Sequence, residues 1–219
     1  MRDDQQVRDA VLGEGGLAAG LAAGSLLLIH STITIDTLMD LKAKLAPRQI
    51  AIVDAPVSRT RRSDDEPFVV TMLGGDNTDV QRARAIVNIF STDVAHIGPL
   101  GAGMATKIAN NLVSWVHLVV GSQAVNLAAH YGVPVEKLRA IMEANGNLTP
   151  TTRAFLDGRQ TMPPGTSAEF DAFLASQAGI GEKDLALAIE TGVAAELNMD
   201  MATEARKGVR GMMTKPLPA

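Results

Sequence analysis

Residues 93–120, DVAHIGPLGAGMATKIANNLVSWVHLVV, divide the chain into two textures and decide its fold. DVAHI reads as a short strand ending at Ile97, and Pro99 with Gly98, Gly101 and Gly103 breaks it. From Ala102 to Tyr131 the pattern is a nearly unbroken run of apolar and small residues, read as one helix. At 1.5 Å per residue such a helix is about 45 Å long. Gly132 supplies a C-cap and Pro134 suits the first turn of the next helix. Apolar over most of its circumference, the long helix needs cover on several sides, which places it at the centre of a bundle or in a subunit interface.

Upstream of this stretch, strands and helices alternate. Ser25 to Ser31, Ile50 to Val57, Phe68 to Leu73 and Asp93 to Ile97 read as strands. Asp4 to Leu12, Ile35 to Leu45 and Thr78 to Ile89 read as helices. The alternation predicts an α/β layer with buried, largely parallel strands. Downstream, strand signals disappear. A helix runs to about Ala144, Thr149-Pro150 starts another, Thr161 to Thr166 is a loop, and a last helical run covers Glu182 to Leu197, leaving the end from Met213 as a frayed tail. The expected organisation is therefore an α/β domain over residues 1–97 and an all-α domain over residues 98–219.

Composition narrows the function classes. The 219 residues carry 20 Lys and Arg against 24 Asp and Glu, a net charge of −4, which argues against a nucleic-acid binder because phosphate neutralisation needs basic excess. Five Phe, Tyr131 and Trp115 leave little for base stacking. With no Cys, thiol nucleophiles and Cys-ligated zinc are absent, and redox chemistry has to come from a bound cofactor; the same lack fits a cytoplasmic setting. The apolar run at 15–29 is Gly-interrupted, too short to span a bilayer, and preceded by an acidic flank unlike a signal peptide, so no membrane role is expected.

Several residues invite chemistry. Gly13-Glu14-Gly15-Gly16-Leu17-Ala18 fits G-x-G-x-x-A, but it follows a helix where a dinucleotide turn follows a strand, and it reads as a loop. Gly98, Gly101 and Gly103 follow a strand and open a helix, yet no Asp or Glu occurs between Asp93 and Glu136 to hold a ribose. The same segment carries Lys107, the one cation of the long helix, with Asn111 one turn further on the same face. On the buried side of the helix such a lysine needs an anionic partner or ligand; a solvated lysine near the helix start is the competing reading. Asp54-Ala55-Pro56-Val57-Ser58 and Ser31-Thr32 follow strand ends, where α/β sheets place ligands; capping of the following helix is the competing role for Thr32 or Thr34. His30, His96, His117 and His130 show no metal spacing and read as packing or surface residues.

Three segments in order, DAPVS at 54–58, GPLGAGMATKIANN at 98–111 and KDLALA at 183–188, resemble the β-hydroxyacid dehydrogenase family, which includes 3-hydroxyisobutyrate dehydrogenase and 6-phosphogluconate dehydrogenase. HSTIT at 30–34 and MLGGD at 72–76 also resemble family segments. The middle segment matches G-x-x-G-x-G-x-x-x-K-x-x-x-N at every fixed position. The resemblance implies a partial Rossmann-type sheet followed by a helical domain. It implies oxidation of a small 3-hydroxyacid, or reduction of the semialdehyde, with NAD or NADP. Lys107 would be the general acid/base, Asn111 its positioning partner, and Ser58 a holder of the substrate carboxylate. Ser31, Thr32 and Lys183 would lie against the cofactor, and a homo-oligomer would form through the helical domain.

The departures from the family pattern carry expectations of their own. The strand, G-x-G-x-x-G and helix that open the family are not in this sequence, about two βαβ units of about 30 residues each. The chain is thus expected to be N-terminally truncated, to bind cofactor poorly alone and to expose an apolar edge at Leu26 to Ile29. A non-catalytic helical dimerisation protein is the rival reading. Arg59-Thr60 stands where the family has Gly-Gly beside the substrate, so both are candidate substrate contacts, and the arginine either blocks the pocket or recognises another anion.

Overall fold

The computed structural model describes residues 1, 3–61 and 67–218. They form two compact units, Met1–Asn110 and Asn111–Ala219.

The first unit is a five-stranded mixed sheet with helices. Helix α1 (Asp4–Leu12) is capped by Asp3, whose side chain accepts from the Gln6 amide, and it is followed by the short α2 (Leu17–Gly20). Strand β1 (Leu26–Ile29) leads into α3 (Ile35–Leu45), which Thr34 caps through the Thr37 amide. The capping role weighed for Thr34 is therefore the one it fills. Asp4 adds a carboxylate that accepts from the Thr34 amide at 3.1 Å, tying the start of α1 to that of α3. After β2 (Ala51–Asp54) and β3 (Val57–Arg61) come β4 (Pro67–Gly74), α4 (Asn77–Val87) and β5 (Asp93–Gly98).

The strands are less uniformly parallel than their apolar texture predicts. β1 pairs with β2 and β4 with β5 in parallel, but β4 runs antiparallel to both β2 and β3. The predicted strand from Ile50 to Val57 is divided between β2 and the start of β3. The pairing along β4 keeps one register from Asp54 opposite Gly74 to Arg61 opposite Pro67, with a gap at Ala55 and Pro56, the latter having no N–H to give. Of the charged segment RTRRSDDEP at 59–67, residues 62–66 lie outside the described residues, as does the Thr60 side chain. β1 has one partner among the described residues. Its apolar side chains are nevertheless covered: Leu27 and Ile29 are buried, and Leu26 and Leu28 pack against the Val53, Leu73 and Val80 cluster under α4. What the edge leaves open is backbone.

Helix α5 (Ala102–His130) belongs to the first unit up to Asn110 and to the second beyond it. The second unit continues with α6 (Val135–Ala144), α7 (Pro150–Thr161), α8 (Ala168–Ala194) and α9 (Asp200–Thr214). Two expectations fail here. The helix read from Glu182 begins at Ala168 under a Ser167 cap, and Gly179 and Gly181 do not break it. The last helical run was expected to close at Leu197, but α9 follows, with Ala202, Ala205, Val209 and Met212 recurring at helical spacing on its buried face, and it takes in Met213 and Thr214 of the expected tail. Leu118, Val119, Leu174, Ala178, Leu185 and Val209 form the core joining α5, α8 and α9. By length and composition α5 is apolar enough to cross a membrane; in this fold it is the helix on which the others of its unit pack.

Candidate active site

The site begins at the carboxyl ends of β1 and β2, where Ile29 and Asp54 are register partners. Ser31 and Thr32 follow β1 and are half-buried. His30 donates from Nδ1 to the Ala55 carbonyl at 2.7 Å, which ties the two strand ends together. His96 Nε2 lies 3.1 Å from the Gly75 carbonyl and 3.0 Å from that of Gly98. The packing role read for these two histidines agrees with these bonds. No group of three or more metal-ligating side chains occurs among the described residues.

Asp54 is fully buried, and both of its oxygens are used. Oδ1 accepts from the Gly101 amide at 2.8 Å and Oδ2 from the Met104 amide at 2.6 Å. These are among the donors that a helix N-terminus leaves without intrahelical partners. Burial holds the Asp54 carboxyl above its ordinary range, against the opposing pull of these amides. Space for it is made by glycines. A Cβ at Gly74 would stand 2.3 Å from Asp54 Oδ1, and one at Gly103 would stand 2.9 Å from Oδ2 and 2.4 Å from the Met72 carbonyl oxygen. Gly101 has φ +95°, open to glycine and strained for other residues. Lys107 follows Met104 by one turn of α5 and is half-buried.

Ser58 is half-buried on β3, and Arg59 next to it is exposed. Alternation along the strand sends these neighbours to opposite faces of the sheet. The structure therefore does not bring Arg59 together with Ser58.

In the second unit Asn111 donates through Nδ2 to Asp184 Oδ2 at 2.8 Å, which leaves its Oδ1 as an acceptor. Trp115, one turn on, donates through Nε1 to the same oxygen at 3.2 Å. Lys183 Nζ lies 3.1 Å from Asp184 Oδ1. Lys183 and Asp184 sit in the middle of α8 rather than at a helix start, and Asp184 is only 6% exposed. Sequence reasoning passed over Asp184 as a site residue. The available signal was an acid sharing one helix face with Gly181, Leu185 and Ala188, where a charge needs partners.

Residues 101–215 match the family profile described as NAD-binding of NADP-dependent 3-hydroxyisobutyrate dehydrogenase, and residues 1–98 match the NAD binding domain of 6-phosphogluconate dehydrogenase. The chain belongs to the 3-hydroxyisobutyrate dehydrogenase family. A family member from Mycobacterium tuberculosis, named an uncharacterized oxidoreductase, is 30% identical over 216 residues, covering 99% of this chain and 73% of that protein. An NAD-dependent L-serine dehydrogenase of Pseudomonas aeruginosa is 29% identical over 201 residues, 91% of this chain and 66% of its own length. Among solved structures, M. tuberculosis 3-hydroxyisobutyrate dehydrogenase with L-serine superposes with TM-score 0.77 at 21% identity, over 97% of this chain and 76% of that one, and shares the fold. The chain is thus a member of a family of nicotinamide-dependent oxidoreductases.

The described residues fit that cofactor only in part. Gly13 to Ala18 is a turn between α1 and α2, where a Cβ at Gly13 would stand 2.4 Å from the Asp9 carbonyl oxygen. The Gly101 and Met104 amides, which in another protein would meet a phosphate, are taken by Asp54. Neither glycine run is a pyrophosphate turn. Ser31 and Thr32 stand just after β1, at a strand end where α/β sheets place ligands.

Proposed function

We propose that the chain is a dehydrogenase of small 3-hydroxyacids, working with NAD or NADP, in which Lys107 is the proton carrier. The observation that carries this reading is the arrangement on α5: Lys107, then one turn later Asn111, its amide held by the buried Asp184. A lysine at a reacting oxygen followed by a fixed amide suits a reaction that moves one proton at one oxygen. The bound nicotinamide supplies the hydride acceptor. In the oxidising direction neutral Lys107 Nζ takes the hydroxyl proton as the adjacent C–H hydride leaves, and the carbon–oxygen bond becomes a carbonyl. In the reducing direction Lys107 returns that proton to the carbonyl oxygen. Asn111 Oδ1 accepts a hydrogen bond on the same helix face and orients the lysine or the substrate hydroxyl. Ser58 donates to the substrate carboxylate. Arg59, on the opposite face of β3, stays outside this set.

L-serine is itself a 3-hydroxyacid, and the relative named for its oxidation supports this substrate class. A homo-oligomer fits the long helix, which leaves Val113, Val120 and Leu127 exposed along one stripe. The test is reduction of NAD and NADP by the 219-residue chain with 3-hydroxyisobutyrate, glycerate, L-threonate and L-serine, beside Lys107→Ala. Loss of about 10²–10⁴ in rate in a folded variant is expected. Equal rates in both proteins, or silence in both, would overturn the reading.

A further inference from the structure

The Asp54 carboxylate occupies a position that a helix normally fills from within its own chain segment. Gly101 stands at the cap position of α5 and has no side chain with which to cap it. The cap comes instead from Asp54, 47 residues earlier, at the end of β2. It grips two points, the Gly101 amide just outside the helix and the Met104 amide in its first turn. Two contacts a turn apart set both the axial height of the helix and its rotation. Met104 is one turn before Lys107, so that rotation is also the direction in which the lysine leaves the helix. The strand that carries Asp54 continues through Ala55, held by His30, to Ser58. One residue therefore links the serine assigned to the substrate carboxylate with the lysine assigned to its hydroxyl.

Asp54 is not a substrate ligand: it is fully buried and both oxygens are engaged by backbone amides. Nor is it the cheapest way to pack this site, because burying a carboxylate costs free energy that an apolar contact would not. We propose that Asp54 is the positioning residue of the acid/base, a cap supplied from β2 that fixes Lys107 relative to Ser58. Gly103, together with Gly74 on β4, is then the space this cap requires. The proposal rests on the reading of Lys107 given above.

The experiment compares Asp54→Asn, Gly103→Ala and Val80→Ala in the full chain. Gly103→Ala keeps the carboxylate but pushes a methyl group against it and against the Met72 carbonyl, so it should reproduce Asp54→Asn. Val80→Ala removes bulk from the core of the same unit and serves as a destabilised control. Lysines are reductively methylated with a ¹³C label, and the Lys107 signal is identified by its absence in Lys107→Arg. Asp54→Asn and Gly103→Ala are expected to move the Lys107 resonance and its titration, and Val80→Ala is not. With substrate, the first two should lower kcat by about 10²-fold, the cost of a misplacement near 1 Å, with KM changed much less, and should displace the lysine limb of the pH profile. An unmoved Lys107 signal in folded Asp54→Asn would overturn the proposal, as would failure of both variants to fold, which would make Asp54 a folding determinant only. If wild-type protein shows no turnover, the dehydrogenase reading fails while the Lys107 signal still decides the positioning role.

Discussion

Two glycines two residues apart in α8 should respond to alanine with opposite signs. Gly179 is exposed, and a Cβ there meets nothing within 4 Å. Gly181 is buried, and its Cβ would lie 2.8 Å from Trp115 Cε3 and Cζ3 and 2.9 Å from Cη2. Carbon contacts settle at about 3.5–4.0 Å, so the indole must retreat by several tenths of an ångström. Its Nε1–H is already at 3.2 Å from Asp184, and retreat stretches that bond. Replacing glycine by alanine inside a helix returns about 0.8–1.0 kcal/mol of propensity at either position. Overpacking costs about 1–3 kcal/mol at Gly181 alone. Gly179→Ala should therefore be stabilised by about 1 kcal/mol, and Gly181→Ala should run from neutral to destabilised by about 2 kcal/mol. Propensity cancels between the two variants, so their difference, about 1–3 kcal/mol, measures the steric conflict with Trp115. Urea unfolding followed by the fluorescence of Trp115, the chain's sole tryptophan, reads this unit directly. A Gly181→Ala protein as stable as Gly179→Ala, with unchanged emission, would refute the packing of Trp115 on α8.

Removing the acceptor shared by Asn111 and Trp115 in Asp184→Ala should cost about 1–3 kcal/mol for each orphaned donor and alter Trp115 emission; Asp184→Asn, which keeps one acceptor oxygen, should lose less, and equal losses would contradict the network. Burial raises the Asp54 pKa, so the folded chain favours its protonated form more than the unfolded chain does. Its contribution to stability is then fully present below the ordinary carboxylate pKa and lost as pH rises through the raised value, and wild type should lose stability relative to Asp54→Asn over that interval. A wild-type advantage growing with pH in chemical unfolding would reverse that sign. Lysines at Val120 and Leu127, 50% and 64% exposed, should split an oligomer formed through α5 while leaving helical content unchanged; light scattering after size exclusion checks it, and an unchanged mass would exclude that face.

Much of the fold was legible because its signals are local. The α3 bounds and the Thr34 cap follow from spacing and a hydroxyl at the right offset. Helix α9 was equally legible in its apolar period and was lost behind the Pro-rich end. Other features were overridden by distant contacts. The helix read from Glu182 starts at Ala168, and α8 runs through Gly179 and Gly181, with the Trp115 ring lying where a side chain at Gly181 would be. The mixed sheet was hidden because strands buried on both faces carry apolar runs whichever way their neighbours point.

By itself the sequence determined the change from sheet to helix near residue 98, the placing of Lys107 and Asn111 one turn apart, and the family, because periodicity and motif spacing are properties of neighbouring residues. Only the tertiary structure decided what Asp54 and Asp184 do. Each is a carboxylate whose partners come from remote segments: the Gly101 and Met104 amides for one, Asn111 and Trp115 for the other. A buried charge is tolerated only where such donors converge on it, and that convergence is set by packing between elements.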